Sequence, residues 1–242
     1  MRHSRPGRAP YGIIGGGKAS SHLQAYFRLL KTPYIVWRRG SGRAMSEALA
    51  DCAKIFVLVS DSELEAVIGA DPFLKGRVLL HFSGSMTVPG AFGLHPLMPL
   101  SSRPMTLEEY RAVPFALDAG SPPLRALVPE FRNPFFRVRK GKKAFYHALC
   151  VLGGNLPFIL WRKAMDGLRG EFKVPEKHVR AYFRAALANF EHDPRSGLTG
   201  PLQRKDARTI KTDLEALRGD SFRGVYSAFA RALGHKGARI CG

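Results

Sequence analysis

The feature that most restricts this chain is an apolar run at residues 11–14 that ends in Gly15-Gly16-Gly17 and passes straight into a helical pattern. After the glycines, Leu23, Tyr26, Phe27 and Leu30 recur at helical spacing. A strand, a glycine turn and a helix in that order open parallel α/β folds. The alternation then continues. Residues 34–37 read as a second strand and 55–59 as a third, the latter an unbroken apolar run of the kind buried on both faces. Short helices are expected at 45–50 and 63–68, a strand at 78–82, and weaker strands at 114–117 and 135–138. Residues 89–104, with their prolines and glycines, read as loop.

From Lys143 onward no strand pattern appears. Val179, Phe183, Leu187 and Phe190 mark one helix face, Leu214 and Leu217 a second, and Val225, Tyr226, Phe229 and Leu233 a third. The fold class expected is therefore α/β. A Rossmann domain with a mostly parallel sheet spans 11–141 and an all-α domain spans 142–242. Residues 1–10 are basic, lack an apolar core and are expected to be a disordered arm rather than a signal peptide.

Composition narrows the partners. The 242 residues carry a formal net charge of +19. Such a balance suits nucleic acid, an anionic membrane surface or anionic small molecules. The charge is spread along the chain, densest at Arg132, Arg137, Arg139, Lys140, Lys142 and Lys143, and no nucleic-acid motif accompanies it. The three cysteines, Cys52, Cys150 and Cys241, show no paired spacing, which fits free thiols in a reducing cytoplasm. No histidine pair has metal-ligand spacing, so no metal is expected. The longest apolar stretch, 144–161, contains His147, Gly153, Gly154, Asn155 and Pro157. It reads as a buried helix broken near Pro157 rather than a membrane span.

The glycine turn carries the first chemistry. Gly15 permits a tight turn, and Gly16 and Gly17 let the backbone approach a pyrophosphate. That group would rest on the N–H groups of the helix that opens at Lys18 and Ala19. Ser20 holds the third fingerprint position and is small enough for close packing of helix on strand. At the end of the second strand, where a carboxylate would select a ribose 2′-hydroxyl, stand Arg38 and Arg39. Two guanidinium groups suit a 2′-phosphate, so the cofactor expected is NADP.

A longer string of motifs now applies: Gly15-Gly16-Gly17, Ser60-Asp61-Ser62, His81-Phe82-Ser83-Gly84, His95-Pro96-Leu97, Tyr146-His147-Ala148, Asn155, and Leu198-Thr199-Gly200-Pro201 with Arg204 and Asp206. In this order they resemble a bacterial Rossmann-like oxidoreductase family whose C-terminal half is a domain of unknown function. That family is similar to pyrroline-5-carboxylate reductases and to the 6-phosphogluconate and 3-hydroxyacid dehydrogenases, and some members resemble an unusual ketopantoate reductase. The resemblance implies a cleft between the two domains, a homodimer through the C-terminal helices, and an NADPH-dependent reduction of a small keto or imino acid.

Carried over by position, the resemblance puts Ser60 and Asp61 beside the cofactor ribose and Ser83 and Gly84 near the nicotinamide and substrate. His147 and Asn155, eight residues apart, project on roughly one helix face and are the candidate catalytic pair. A histidine can supply the proton at neutral pH. His95, Thr199, Arg204 and Asp206 are candidates for substrate binding, while His81 is read as capping its strand end. Related dehydrogenases place a lysine and an asparagine one turn apart here. In this chain Val151 follows His147 by one turn, and Lys142 and Lys143 lie only at the helix start. The alternative is a non-catalytic NADP-binding or regulatory protein of the same fold, and the third reading is a basic nucleic-acid-binding protein.

Overall fold

The computed structural model describes residues 9–235. Residues 1–8 of the expected arm, and Cys241, lie outside the described residues. The chain divides between Leu160 and Trp161 into two compact units. The expected boundary, at 141/142, lies upstream of that division, because the helix that follows it is fixed to the sheet.

In the first unit the order is β1 (Tyr11–Ile14), α1 (Lys18–Leu29), β2 (Tyr34–Trp37), α2 (Met45–Ala48), β3 (Lys54–Val57), α3 (Asp61–Ala70) and β4 (Val78–His81). Then come β5 (Ala91–Pro96), α4 (Leu107–Ala112), β6 (Phe115–Asp118), α5 (Leu124–Leu127), β7 (Phe135–Val138), α6 (Lys143–Gly154) and the opening of α7 (Leu156–Gly170). The strands form one sheet in the order β2-β1-β3-β4-β5-β6-β7. All neighbours are parallel except β5 and β6. The order reverses at β1, with β2 on one side and β3 on the other, which opens a crevice beyond the C-terminal ends of β1 and β3.

Alternation along the strands makes two apolar layers. Ile13, Phe56 and Leu80 face one side with Tyr26, Phe27 and Phe131. Ile14, Ile55, Val57 and Leu79 face the other with Leu49, Leu64 and Leu74. The expected α/β class and all six expected strands are present.

Two sequence expectations are corrected. Residues 91–96 are not loop but β5, paired on both sides. Gly93, His95 and Pro96 hide the strand from a reading by β-propensity, and neighbouring strands supply the pairing. The apolar helix is broken near Pro157 as expected, α6 ending at Gly154 and α7 starting at Leu156. It is not buried: Phe145, Leu152 and Phe158 are 64%, 57% and 66% exposed. Lys143–Gly170 is long and apolar enough, by length and composition alone, to cross a membrane.

The second unit holds the rest of α7, α8 (Glu176–His192), α9 (Pro201–Arg204), α10 (Ala207–Ala216) and α11 (Arg223–Ala232). Ile210, Leu214 and Ala230 form its small core with Leu202 and Tyr226.

Candidate active site

The glycine turn is built for close approach. Gly15 has φ +120°, and a Cβ there would overlap the Leu58 carbonyl oxygen, so only glycine fits. Gly17 caps α1 with no side-chain partner, and a Cβ on it would meet open space. The first N–H groups of α1 are thus available to an anion. Ser20 is buried and donates to the Gly15 carbonyl at 2.9 Å, locking the helix start to the turn. Arg38 lies over Gly16, its Nε 3.1 Å from where a Cβ would stand. Arg39 instead pairs with Glu63 of α3 at 3.2 Å. Glu63 lies 24 residues from Arg39 in sequence, and the fold brings the two together. These features, a glycine cradle, unpartnered helix N–H groups and a guanidinium above them, fit a dinucleotide.

Beyond the turn, Ala19, Val57, Leu58, Val59, Asp61, Ser83, Gly84, His95 and His147 line a cavity of about 180 Å³. Asp61 accepts from the Ser85 hydroxyl at 2.6 Å, tying the loop after β4 to α3. Ser60 donates to Glu63 at 2.9 Å. The Ser83 hydroxyl accepts from the backbone N–H of Met86 at 3.0 Å, so it shapes the turn that carries Gly84. His81 is fully buried and accepts from the Ser83 N–H at 3.2 Å. Burial, and then the Lys143 charge, push its pKa down to about 4. It holds the strand end, as expected.

Gly84 is the seat of two imidazoles. A Cβ there would stand 2.6 Å from the His147 ring and 2.9 Å from the His95 ring. The two rings lie edge to face with centroids 6.1 Å apart. They reach Gly84 from different elements. His95 lies near the end of β5, on the same face as Gly93, two residues earlier. Helix α6 crosses that face with Lys143, Tyr146 and His147, which share one side at helical spacing. Lys143 is buried and pairs with Asp118 at 2.5 Å, and Asp118 accepts the Gly93 N–H at 3.1 Å. A Cβ on Gly93 would overlap both charged groups, so glycine there makes room for the pair. Burial lowers the Lys143 pKa and Asp118 counters it. Tyr146 Oη lies 2.8 Å from His95 Nδ1.

On the other side of the imidazoles is a larger cavity of about 480 Å³, lined by His95, Leu97, Met98, Pro99, Tyr146, His147, Leu149, Cys150, Gly153, Gly154 and Asn155. His147 and Asn155 therefore share a cavity, as their spacing implies. The remaining expected residues belong to the second unit: Thr199 and Arg204 are exposed, and Asp206 caps α10 by accepting from Thr209 N at 3.0 Å.

Sequence reasoning missed three residues here. Tyr146 and Lys143 precede His147 by one and four positions, and the 143/146/147 spacing was the available signal. Asp118 gave none, because its role depends on the β5–β6 register, which sets it beside Gly93.

Residues 113–233, half of the chain, match the family model described as a domain of unknown function, DUF2520. The chain belongs to that family. The DUF2520 segment begins at β6 and includes α6, so it supplies Asp118, Lys143, Tyr146 and His147. No curated protein matches the chain in sequence. Among solved structures, a Bacteroides fragilis protein assigned as an NADP oxidoreductase is similar at 17% identity and TM-score 0.70, covering 94% of this chain and 98% of that one. A Thermotoga maritima protein is similar at 22% identity and TM-score 0.66, covering 92% and 96%. Plasmodium falciparum pyrroline carboxylate reductase, solved with NADP bound, is similar at 12% identity and TM-score 0.58, covering 93% and 95%. At these identities the likeness establishes the fold of the DUF2520 protein.

Proposed function

We propose that this protein is an NADPH-dependent reductase of a small keto or imino compound. One observation carries the reading: a single cavity joins the helix that starts at the glycine turn, the ends of β3 and β4, and the His95–His147 pair. A binding module has no need of two imidazoles there. The α1 N–H groups hold the pyrophosphate, Arg38 meets the 2′-phosphate, and Asp61 borders the ribose. When bound, NADPH supplies a hydride. The chain supplies the rest. Gly84 leaves space for the substrate carbon beside the imidazoles, an imidazole of the His95–His147 pair delivers a proton to the reduced oxygen or nitrogen, and Asn155 offers a hydrogen bond from the larger cavity. The keto- or imino-acid substrates that the resemblance implies are the first to test.

We also assign the exposed apolar residues of α6 and α7 to a homodimer, since Phe145, Leu152 and Phe158 are large apolar side chains that a monomer leaves in water. Sedimentation should give a dimer, and Phe158→Glu should shift it to monomer; a monomeric wild type excludes the assignment. The free thiols Cys52 and Cys150 suit a cytoplasmic location.

The test of function is oxidation of NADPH and NADH against 2-keto acids including ketopantoate, cyclic imines and uncharged ketones. The expected result is turnover of at least one class with NADPH strongly preferred. Tight NADPH binding with no turnover leaves the non-catalytic reading in its place.

A further inference from the structure

The two imidazoles above Gly84 are not equivalent. Among the described residues the His147 ring has no hydrogen-bond partner, whereas His95 Nδ1 is held by Tyr146 Oη at 2.8 Å. That contact leaves His95 Nε2 as the free ring nitrogen, and this atom stands 2.9 Å from where a Gly84 Cβ would be, on the cavity wall. Both partners are anchored. His95 lies in β5, in register with Ala116 of β6, and Tyr146 lies one turn into a helix whose first residue is fixed by the Lys143–Asp118 pair.

We propose that Tyr146 and His95 form a proton relay, Tyr146 O–H donating to His95 Nδ1 and His95 Nε2–H delivering the proton to the substrate heteroatom. This rests on the reductase reading and names which imidazole does the work. A neutral imidazole carries one N–H, so a ring that accepts at Nδ1 must donate at Nε2. The neutral form is the one favoured at this site. Burial pushes the His95 pKa down to about 4, the neighbouring His147 and Lys143 push the same way, and Asp61 of α3 opposes them. Tyr146 is pushed well up by burial first and then by Cys150, one turn further along α6, so at rest its hydroxyl is protonated and has a hydrogen to share with Nδ1. Cys150 and Tyr146 both line the larger cavity, which gives the hydroxyl a route to solvent.

The step balances. A hydride from the reduced nicotinamide forms the new C–H bond, and the π electrons of C=O or C=N move to the heteroatom. The heteroatom takes the Nε2 proton, Nδ1 takes the Tyr146 proton, and the phenolate is reprotonated from water. His147 then positions the heteroatom from the opposite side and does not hand over the proton.

Histidine-labelled protein without cofactor tests this by nitrogen NMR between about pH 5 and 8. His95, assigned by its loss in His95→Gln, should show the Nε2–H tautomer and stay neutral throughout. Tyr146→Phe should turn it into a tautomer mixture, and His147→Gln should leave it unchanged. An Nδ1–H tautomer, or a protonated His95 at neutral pH, overturns the relay. With NADPH and whichever of 1-pyrroline or ketopantoate is reduced, Tyr146→Phe should lower kcat by roughly 10- to 100-fold with NADPH affinity unchanged. A larger loss in His147→Gln than in both His95→Gln and Tyr146→Phe also overturns it. The Nε2–H tautomer with no substrate reduced removes the reductase reading and the relay's use together; turnover with the Nδ1–H tautomer removes the relay alone.

Discussion

Arg38 and Arg39 are adjacent in sequence yet free to do different things. The Arg39 guanidinium is held by Glu63, in a pair so exposed that it contributes no more than about 1 kcal/mol to stability. Its charge is nonetheless partly answered. Arg38 lies over the glycine turn. A charged hydrogen bond to a 2′-phosphate is worth about 1.5–3 kcal/mol, roughly tenfold or more in affinity. Arg38→Ala should therefore weaken NADPH binding by about tenfold or more while NADH binding changes little, and Arg39→Ala should cost much less. Calorimetric titration of both cofactors checks this, and equal losses for the two cofactors in Arg38→Ala exclude 2′-phosphate recognition by that residue. The sequence placed both arginines at the strand end; only the approach of α3 distinguishes them.

At the scale of elements, β5 and α6 build the site together. Gly93 and His95 sit on one face of the strand, and Lys143, Tyr146 and His147 on one face of the helix. The Lys143–Asp118 pair clamps one to the other inside the protein. Removing one partner of a buried pair strands the other charge at a cost of about 3–5 kcal/mol. Lys143→Met should thus destabilise the protein by about that amount in urea titrations, and Lys143→Met with Asp118→Leu should recover part of it. A loss under about 1 kcal/mol would mean that the pair is solvated in practice. The helix was legible from its apolar run and His147 from its place within it. The strand was not, because a glycine and a proline near its end look like loop until the β4 and β6 edges are there to pair with it.

For the whole molecule, two histidines, His81 buried and His95 half-buried, couple stability to pH. His81 and His95 both have pKa values near 4 in the folded protein, against 6.5 as the ordinary value, with burial the leading cause. The unfolded chain therefore binds protons below about pH 6.5 that the folded chain refuses until about pH 4. Their contribution is fully present above the unfolded value and is lost as pH falls through that window. Tm should drop between about pH 6.5 and 4, and His81→Gln, if it folds, should flatten the decline; an unchanged slope assigns it to other groups. The sequence by itself determined the α/β architecture, the glycine turn and its cofactor chemistry, because strand and helix periodicity and the steric needs of a tight turn are local. It also marked His147, through neighbours along one helix. Only the tertiary structure decided which charges are paired, which arginine has no carboxylate partner among the described residues, and that His95 meets Tyr146 above Gly84. Those facts depend on groups far apart in the chain, brought together by strand register and by the packing of α6 on the sheet.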